Sequence, residues 1–293
     1  GVALVLCGAA AQAGVARVAE ALLVAPDGRL EQLGGDEAAQ LLLAAWTGTT
    51  RIDGLPLRCR PAHLDQGYAI QDALLIATGE TLAGYKIAAT SVAGQQHIGI
   101  THPITGGLLN SQIRSPGAQV SLSGNQMCAA EAEFEFEFKA RVSPRSTQYS
   151  RVEVLQAVSA LRLGIEIPDS RLSGFEGAGA PQLVADNACA HVFVLGQAVA
   201  SGWRQHDLAA QRVALCVDGD ESAVGYGADA LGDPRDALVW FVNHLSSRGK
   251  VIEPGQFVTT GVCAGPVTVK PGQSVIARFD GYGEVNLRLT GDD

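Results

Sequence analysis

The sequence predicts an α+β fold in which a helical N-terminal part precedes a strand-rich, mostly antiparallel body. Glycine makes up 35 of the 293 residues, about 12% against the usual ~7%, which indicates many tight turns. Two of the four segments with helical character lie before residue 80, whereas short apolar runs separated by turn signals dominate the remainder. The length suits one large domain or two small ones, either of which could bury a sizeable core.

The four predicted helices are identified by their caps and by their apolar spacing. Asp36 and Asp233 are natural N-caps, Ser150 and Glu153 have the spacing of a capping box, and Gly79 and Gly249 follow two of the C-termini. The predicted helices are Asp36 to Trp46, Pro61 to Ala77, a third from Ser150 with an apolar stripe reaching Leu161, and Pro234 to Arg248.

Short runs rich in β-branched and aromatic residues predict the strands. Turn dipeptides such as Pro271-Gly272 separate the last of them. The predicted strands are Tyr85 to Ala89, Glu131 to Val142, Leu163 to Ile167, His191 to Leu195, Arg212 to Val217, Phe257 to Thr260, Val267 to Val269, Val275 to Phe279 and Val285 to Leu289.

The composition excludes several classes of protein. Lys and Arg total 21 and Asp and Glu total 30, so the net charge is −9 and there is no basic excess to favour nucleic acid. With 47% hydrophobic and only 17% charged residues, the chain does not have the composition of a disordered protein. The six cysteines are spread singly through apolar surroundings, which argues against a zinc site and predicts free thiols in a reducing, cytoplasmic compartment.

The first sixteen residues form an uncharged, mostly apolar run. A membrane-spanning helix needs ~20 apolar residues, so no membrane partner is expected. The Ala11-Gln12-Ala13 sequence resembles a signal-peptide cleavage site. The run is therefore either the remnant of a secretory signal, in which case the protein is exported, or an additional apolar strand or helix.

The segment from Glu131 to Phe138 alternates strictly between glutamate and an apolar residue, which is the pattern of a strand. The phenylalanines should enter the core, which leaves Glu131, Glu133, Glu135 and Glu137 on the opposite face. Carboxylates at alternate positions on one face of a strand lie close enough to repel one another unless water screens them or a cation binds them. Oxygen ligands without His or Cys nearby favour Mg²⁺ or Mn²⁺ over zinc. The alternative is an amphipathic strand with a solvated acidic face.

Two further charged residues lie in apolar strands. Glu166 stands between two isoleucines and needs a partner, which is either a shared metal ion or Arg171 or Arg162. Lys86, one of only four lysines, lies in an apolar run where burial would lower its pKa toward neutrality and suit it to proton transfer. The alternative for Lys86 is a lysine that extends its ammonium group to solvent from a strand end.

These segments, in this order, resemble the fumarylacetoacetate hydrolase superfamily, and most closely its branch of 2-keto-4-pentenoate hydratases and 4-oxalocrotonate decarboxylases. The resemblance covers most of the chain from about Asp36 to Leu289. It is carried by Gly67 to Gln71, Gly84 to Ser91, Gly99 to Leu108, Glu131 to Glu133, Glu166 to Arg171, Val184 to Ala188, Phe193 to Gly196, Leu231 to Pro234, and Thr260-Gly261 through Pro271-Gly272.

The resemblance implies a β-rich roll of mixed and antiparallel strands with peripheral helices, usually assembled as a homo-oligomer. It implies a division of the chain into an N-terminal extension, residues 1–35, and a single catalytic domain, residues 36–293. It makes Glu131, Glu133 and Glu166 the ligands of one Mg²⁺ or Mn²⁺ and places Lys86 nearby as the catalytic residue. Asn187, Thr260 and Gly261 would bind the substrate.

The activity implied is a metal-dependent hydratase of aromatic-compound catabolism, a lyase that adds water to a 2-hydroxy-2,4-dienoate and gives a 4-hydroxy-2-oxo acid. Three departures from the family pattern leave other activities open, namely Ala88, Ile104 and Cys189. The alternatives are a 4-oxalocrotonate-type decarboxylase, an acylpyruvate-type carbon–carbon hydrolase with Glu135 or His102 as its base, and a non-catalytic relative that binds a small acid. His191 and His244 are interpreted as structural.

Overall fold

The computed structural model describes residues 4–5, 22–23, 29–48, 50–200 and 202–291. The helices within these ranges are α1 (Arg29–Thr47), α2 (Leu64–Ala77), α3 (Val92–His97), α4 (Arg151–Ala157), α5 (Ala180–Ala185) and α6 (Pro234–Ser247). The strands are β1 (Leu4–Val5), β2 (Leu22–Leu23), β3 (Leu82–Ala88), β4 (Ile104–Leu109), β5 (Ile113–Arg114), β6 (Ala118–Ser121), β7 (Ala129–Phe138), β8 (Val158–Ile167), β9 (Val192–Ala198), β10 (Arg212–Val217), β11 (Asp220–Tyr226), β12 (Phe257–Thr268), β13 (Ser274–Phe279) and β14 (Gly283–Thr290).

Two mixed sheets form the body of the protein. A seven-stranded sheet has the order β4-β3-β12-β7-β8-β9-β5, and a five-stranded sheet has the order β11-β10-β13-β14-β6. Most neighbours are antiparallel, but β3 pairs in parallel with β12, β5 with β9 and β6 with β14. The predicted α+β class with strands of mixed direction is confirmed.

The main core includes residues of both sheets together with α6. The three phenylalanines of β7 are at most 1% exposed, and Phe134 contacts Phe279 of β13 with ring centroids 4.9 Å apart. Phe136 contacts Trp203 with tilted rings whose centroids are 5.5 Å apart. Every second residue of β7 is therefore fixed in the core, which determines the direction of the glutamates between them.

The predicted helices exist, but their ends differ from the predictions. Asp233 caps α6 as expected, and its apolar stripe is buried. Ser150 and Glu153 form the predicted capping box of α4, but that helix ends at Ala157 and its predicted apolar stripe continues into β8. Val158 and Leu161 are three residues apart, which is helical spacing, but both belong to β8 and pair with β7, where a register shift between Glu137 and Phe138 separates the two positions.

The start of the first helix was predicted wrongly. Helix α1 begins at Arg29, so Asp36 lies inside it rather than at its N-cap, and Gly34 and Gly35 do not interrupt it. The helix crosses the predicted boundary between residues 35 and 36, and the division into an extension and a domain stays a prediction. The proposed signal remnant falls almost wholly outside the described residues.

Two parts of the seven-stranded sheet differ from the strands that the sequence predicts. Phe257–Thr268 is one strand with irregular register, not two. β4 is absent from the strands that the sequence predicts, yet all six of its residues are buried. A Cβ at Gly106 would lie 2.2 Å from the carbonyl oxygen of Asn187, so glycine is needed there for close approach and does not mark a turn.

No helix in the described part of the chain has the length and apolar character to cross a membrane. The five cysteines within the same ranges are all free thiols, as predicted.

Candidate metal centre and cavity

Neighbouring strands β7 and β8 of the seven-stranded sheet carry the predicted ligands, and β3, which carries the lysine, is separated from β7 by β12 alone. Glu131 of β7 lies directly opposite Glu166 of β8, and Thr259 of β12 lies opposite Lys86 of β3. Glu131 and Glu133 are two residues apart and therefore point to the same face of the sheet. The pairing of the strands brings together side chains that are distant in the sequence.

Glu131, Glu133 and Glu166 form a compact cluster, in which one carboxylate oxygen from each lies within 4.8 Å of the others. Glu133 and Glu166 are fully buried and Glu131 is half-buried. One oxygen of Glu133 accepts a hydrogen bond of 2.9 Å from the backbone N–H of Gly261. The other oxygen of Glu133 and both oxygens of Glu166 receive no hydrogen bond from the described residues, and the only charge partner close to Glu166 among them is the Lys86 ammonium group, 3.1 Å from one oxygen. The alternative of a solvated acidic face is wrong for this strand, because Glu133 and Glu135 are fully buried.

The electrostatics of the cluster favour a bound cation. Burial, reinforced by the neighbouring Glu166 carboxylate, raises the pKa of Glu131 to about 7. The same two causes raise the pKa of Glu133 well above its usual value. Buried carboxyl oxygens without hydrogen-bond donors destabilise the fold. A divalent cation would relieve the repulsion between the carboxylates and would take the place of the missing donors. A set of three hard oxygen donors fits Mg²⁺ or Mn²⁺.

Lys86 lies beside this cluster and is only 4% exposed. Its Nζ lies 3.1 Å from a carboxylate oxygen of Glu166 and donates a hydrogen bond of 3.0 Å to the carbonyl oxygen of Ala188. Burial lowers the pKa of Lys86, but the carboxylates of Glu166 and Glu131 outweigh it and the net shift is upward. The predicted shift toward neutrality is therefore wrong, because it considered burial without the acidic partners.

The partner of Glu166 is thus Lys86 and not an arginine. Arg171 instead pairs with Asp186 at 2.6 Å, and Arg162 pairs with Glu137 at 2.7 Å. Both arginine alternatives raised by the sequence are excluded by these contacts.

A strained turn positions the carbonyl group that holds Lys86. Asn187, Ala188 and Cys189 have consecutive φ values of 57°, 51° and 60°, which is the left-handed region that costs non-glycine residues roughly 1–2 kcal/mol each. The turn is anchored on one side by Asp186, which accepts hydrogen bonds of 2.6 Å from the side chains of Arg171 and Ser170.

The Asn187 side chain anchors the other side of the turn. Its oxygen accepts from the backbone N–H of Gly107 and its amide donates to the carbonyl of Gly107, both at 2.7 Å. Because the turn is held from two directions, the Ala188 carbonyl stays directed at Lys86. Sequence reasoning did not find this function of the turn.

The three predicted substrate-binding residues all support the site. Asn187 holds the turn, Thr260 donates to the carbonyl of Phe134 at 3.2 Å, and Gly261 donates to Glu133. Gly261 has a φ of 89°, and a Cβ there would lie 2.4 Å from the hydroxyl oxygen of Thr90. Their contact with substrate stays a prediction.

Lys86 and Glu131 line a cavity of about 590 Å³. Cys189 lines it as well, and burial raises the pKa of its thiol to about 12. The apolar part of the wall comes from several elements, including Ile87, Ala88, Ile98, Ile104, Phe175, Leu183, Val224 and Val262. The contributions of α3 and of residues 175–183 were not foreseen, since nothing in their spacing links them to the acidic strand.

Neither base suggested for a hydrolase is placed to serve this cavity. Glu135 is fully buried, and both of its oxygens lack hydrogen-bond donors. His102 is exposed, with Nδ1 2.9 Å from the carbonyl oxygen of Pro103. Neither residue is among those that line the cavity.

We expect Glu135→Leu to raise the free energy of unfolding by about 1–3 kcal/mol, because it replaces an unpartnered buried carboxyl group with an apolar side chain. Denaturant unfolding monitored by circular dichroism measures the change. The control is Glu137→Leu on the same strand, which breaks the 2.7 Å ion pair with Arg162 and should not stabilise the protein. A loss of activity in Glu135→Leu with stability and metal affinity unchanged would instead identify Glu135 as a functional acid or base.

His191 and His244 are half-buried, as their structural interpretation requires. Burial lowers the pKa of each to about 4. His244 stacks on Trp240 with centroids 4.8 Å apart, and its Nε2 has no hydrogen-bond partner among the described residues.

The lowered pKa of His244 predicts a loss of stability in acid. The unfolded chain binds a proton below pH ~6.5 while the folded protein does not, so stability is complete above that pH and falls as the pH decreases toward 4. We expect His244→Phe to reduce the loss between pH 7 and pH 5 by about 1–2 kcal/mol, after allowance for partial exposure. Urea unfolding at both pH values tests this. An equal loss in the variant would contradict it.

Residues 88–290 match the family model described as fumarylacetoacetate (FAA) hydrolase, C-terminal. A 2-keto-4-pentenoate hydratase of Paraburkholderia xenovorans (strain LB400) is 32% identical over 257 residues, which cover 87% of this chain and 94% of that protein. A 2-hydroxyhexa-2,4-dienoate hydratase of Comamonas testosteroni is 29% identical over 220 residues, or 73% of this chain and 80% of that protein. Among solved structures, a 4-oxalocrotonate decarboxylase from Pseudomonas putida G7, complexed with magnesium and adipate, is similar with a TM-score of 0.80 and 26% identity, covering 88% of this chain and 98% of that chain.

Proposed function

The chain belongs to the fumarylacetoacetate hydrolase family, and we propose that it is a hydro-lyase that adds water to a 2-hydroxy-2,4-dienoate in a reaction that depends on Mg²⁺ or Mn²⁺. The observation that carries the proposal is the cluster of Glu131, Glu133 and Glu166 with Lys86 beside it at the wall of a cavity. Relatives named 2-keto-4-pentenoate hydratase and 2-hydroxyhexa-2,4-dienoate hydratase, which align over most of the chain, support the choice of reaction.

Glu131, Glu133 and Glu166 would hold the cation. When bound, the cation supplies positive charge that orients the substrate carboxylate and C2 oxygen and stabilises negative charge developing on that oxygen. Gly261 holds Glu133 in position through its backbone N–H. The other oxygen of Glu133, together with the Glu166 carboxylate beside the Lys86 ammonium group, would supply the remaining ligand atoms.

Lys86 is the proposed proton carrier. Its Nζ has three hydrogens, and contacts with Glu166 and the Ala188 carbonyl leave one free to point elsewhere. In the first step Nζ gives a proton to C5 of the dienol. Nζ then takes the proton of the C2 hydroxyl, so that the ammonium group is restored and the product of this step is the 2-oxo-3-enoate. Water then adds across the C3–C4 double bond, with its oxygen on C4 and a proton on C3, and the product is a 4-hydroxy-2-oxo acid.

Decarboxylation is the second candidate reaction, favoured by the similarity to the 4-oxalocrotonate decarboxylase. Both reactions need electrons to be drawn toward C2, so the same cluster serves either one. The departures Ala88, Ile104 and Cys189 all line the cavity, and for that reason a non-catalytic acid-binding relative is a third outcome that must be tested.

Metal titration followed by an ultraviolet assay on 2-hydroxypenta-2,4-dienoate tests the proposal. Consumption of the dienoate with Mg²⁺ or Mn²⁺, and formation of 4-hydroxy-2-oxopentanoate, supports a hydratase. Release of carbon dioxide from 2-oxohex-3-enedioate without hydration supports the decarboxylase. Metal binding without turnover of any 2-oxo or 2-hydroxydienoic acid supports a binding protein, and no metal binding contradicts all three.

A homo-oligomeric assembly and a cytoplasmic location complete the proposal. Light scattering coupled to size-exclusion chromatography measures the first, and fractionation of cells that express the full-length protein measures the second.

A further inference from the structure

We propose that the cavity selects dienoates with a single carboxylate and an apolar substituent at the far end, and that Glu176 and Asp229 exclude a second carboxylate. This inference rests on the proposed function, since it concerns the substrate of the same site. It distinguishes hydration of a monocarboxylate from decarboxylation, which requires the dicarboxylate 2-oxohex-3-enedioate.

The cavity is larger than the smallest substrate requires. Its volume of about 590 Å³ falls in the range of sites that enclose drug-sized molecules. A five-carbon dienoate contains only eight non-hydrogen atoms and would leave much of this space empty. A longer substrate would bury more apolar surface and bind more tightly.

The walls of this extra space are mainly apolar. Ile98 follows α3, Leu183 belongs to α5, and Val262 belongs to β12. Ile104 and Ala88 also line the cavity and add to its apolar wall. An apolar wall stabilises an alkyl group but offers no hydrogen bond to a carboxylate.

The charges around the cavity oppose a second anion. Among the described residues that line it, the cationic or basic side chains are Lys86 and His97, and the acidic ones are Glu131, Glu176 and Asp229. Lys86 is already paired with Glu166. Glu176 and Asp229 are exposed, so they lie where the cavity opens to solvent, and neither forms an ion pair with a described residue.

Only part of the Asp229 carboxylate is engaged. One oxygen accepts a hydrogen bond of 2.7 Å from the backbone N–H of Tyr226, which fixes the carboxylate beside the cavity. A substrate whose first carboxylate reaches the Lys86 side would place a second carboxylate toward these two acids. Repulsion between exposed charges is modest and is screened by salt.

The test uses two pairs of molecules that differ only in charge at the far end. For turnover, we compare 2-hydroxy-6-methylhepta-2,4-dienoate with its isostere 2-hydroxyhexa-2,4-dienedioate. We expect kcat/KM to be at least about tenfold higher for the monocarboxylate. For binding, calorimetry with Mg²⁺ compares 2-oxo-6-methylheptanoate with 2-oxohexanedioate and gives a result even if no dienoate turns over.

Variants at the cavity opening test the residues. Asp229→Asn keeps the hydrogen-bond acceptor for Tyr226, and Glu176→Gln removes a charge at an exposed position. Each should reduce the preference for the monocarboxylate about two- to fivefold, and Glu176→Arg should reduce it further. Glu80→Gln makes the same change of net charge at an exposed residue that does not line this cavity, and should leave the preference unchanged.

The outcomes separate the two proposals. Equal or better use of the dicarboxylates, in turnover or in binding, overturns the inference and points to His97 or Lys86 as the partner of the second carboxylate. A preference that none of the Glu176 and Asp229 variants alters also overturns it. Selective binding of the apolar 2-oxo acid without turnover of any dienoate upholds the inference and contradicts the proposed hydratase.

Discussion

Glu133→Gln is expected to abolish metal binding and to lower the metal-dependent turnover by about 10³-fold or more, because the cation supplies several kcal/mol of charge stabilisation. Glutamine keeps the length of the side chain and can still accept from the backbone N–H of Gly261. The fold should therefore survive while the charge of one ligand is lost. Calorimetric titration with Mg²⁺ and Mn²⁺, together with kcat, measures both effects.

Thermal unfolding gives a second readout of the same variant. Mg²⁺ at a hundred times its dissociation constant should stabilise the wild-type protein by about 2.7 kcal/mol and should leave Glu133→Gln unchanged. Glu137→Gln is the matched control, since Glu137 lies on the same strand but outside the cluster. If Glu133→Gln bound Mg²⁺ with wild-type affinity, the assignment of the three carboxylates as ligands would be wrong.

Lys86→Met is expected to lower turnover by about 10²–10⁴-fold while metal binding is retained or strengthened. Methionine fills much of the same space but carries no proton and no charge. Removal of the ammonium group leaves Glu166 without its 3.1 Å partner, so the cluster becomes more negative and should attract a cation more strongly. Titration calorimetry and initial rates at saturating Mg²⁺ separate these two effects.

Lys86→Met should lose turnover but keep metal binding, whereas Glu133→Gln should lose both. Lys139→Met, at an exposed position after β7, controls for the loss of a lysine. Turnover within tenfold of the wild type would exclude Lys86 as the proton carrier. Loss of metal binding in Lys86→Met would show that the lysine organises the cluster and does not act on the substrate.

Local patterns predicted the strand that carries Glu131 and Glu133. Alternation with phenylalanine indicated which face the glutamates occupy, and a lone Glu166 between isoleucines indicated a missing partner. Both inferences depend on short-range periodicity, which sequence displays directly. The identity of the partner, Lys86, depends on the order of strands in the sheet and could not be read from spacing alone.

The errors have a shared physical origin in tertiary contact. β4 is absent from the predicted strands because glycine usually weakens a strand, whereas the close carbonyl of Asn187 requires glycine at position 106 of this buried strand. The pKa of Lys86 was predicted to fall because only its burial was visible in the sequence. The cavity wall from α3 and α5 was missed because neither helix carries a pattern that identifies its neighbours.

The position of β7 as the middle strand of its sheet has a consequence for backbone dynamics. The amide hydrogens of Glu131, Glu133 and Glu166 lie in strands that are hydrogen-bonded on both sides. Such strands exchange hydrogen for deuterium only when the whole domain opens, unlike edges and loops that open locally. We therefore expect the strands that carry the three carboxylates to stay paired when edges and loops of the protein open locally.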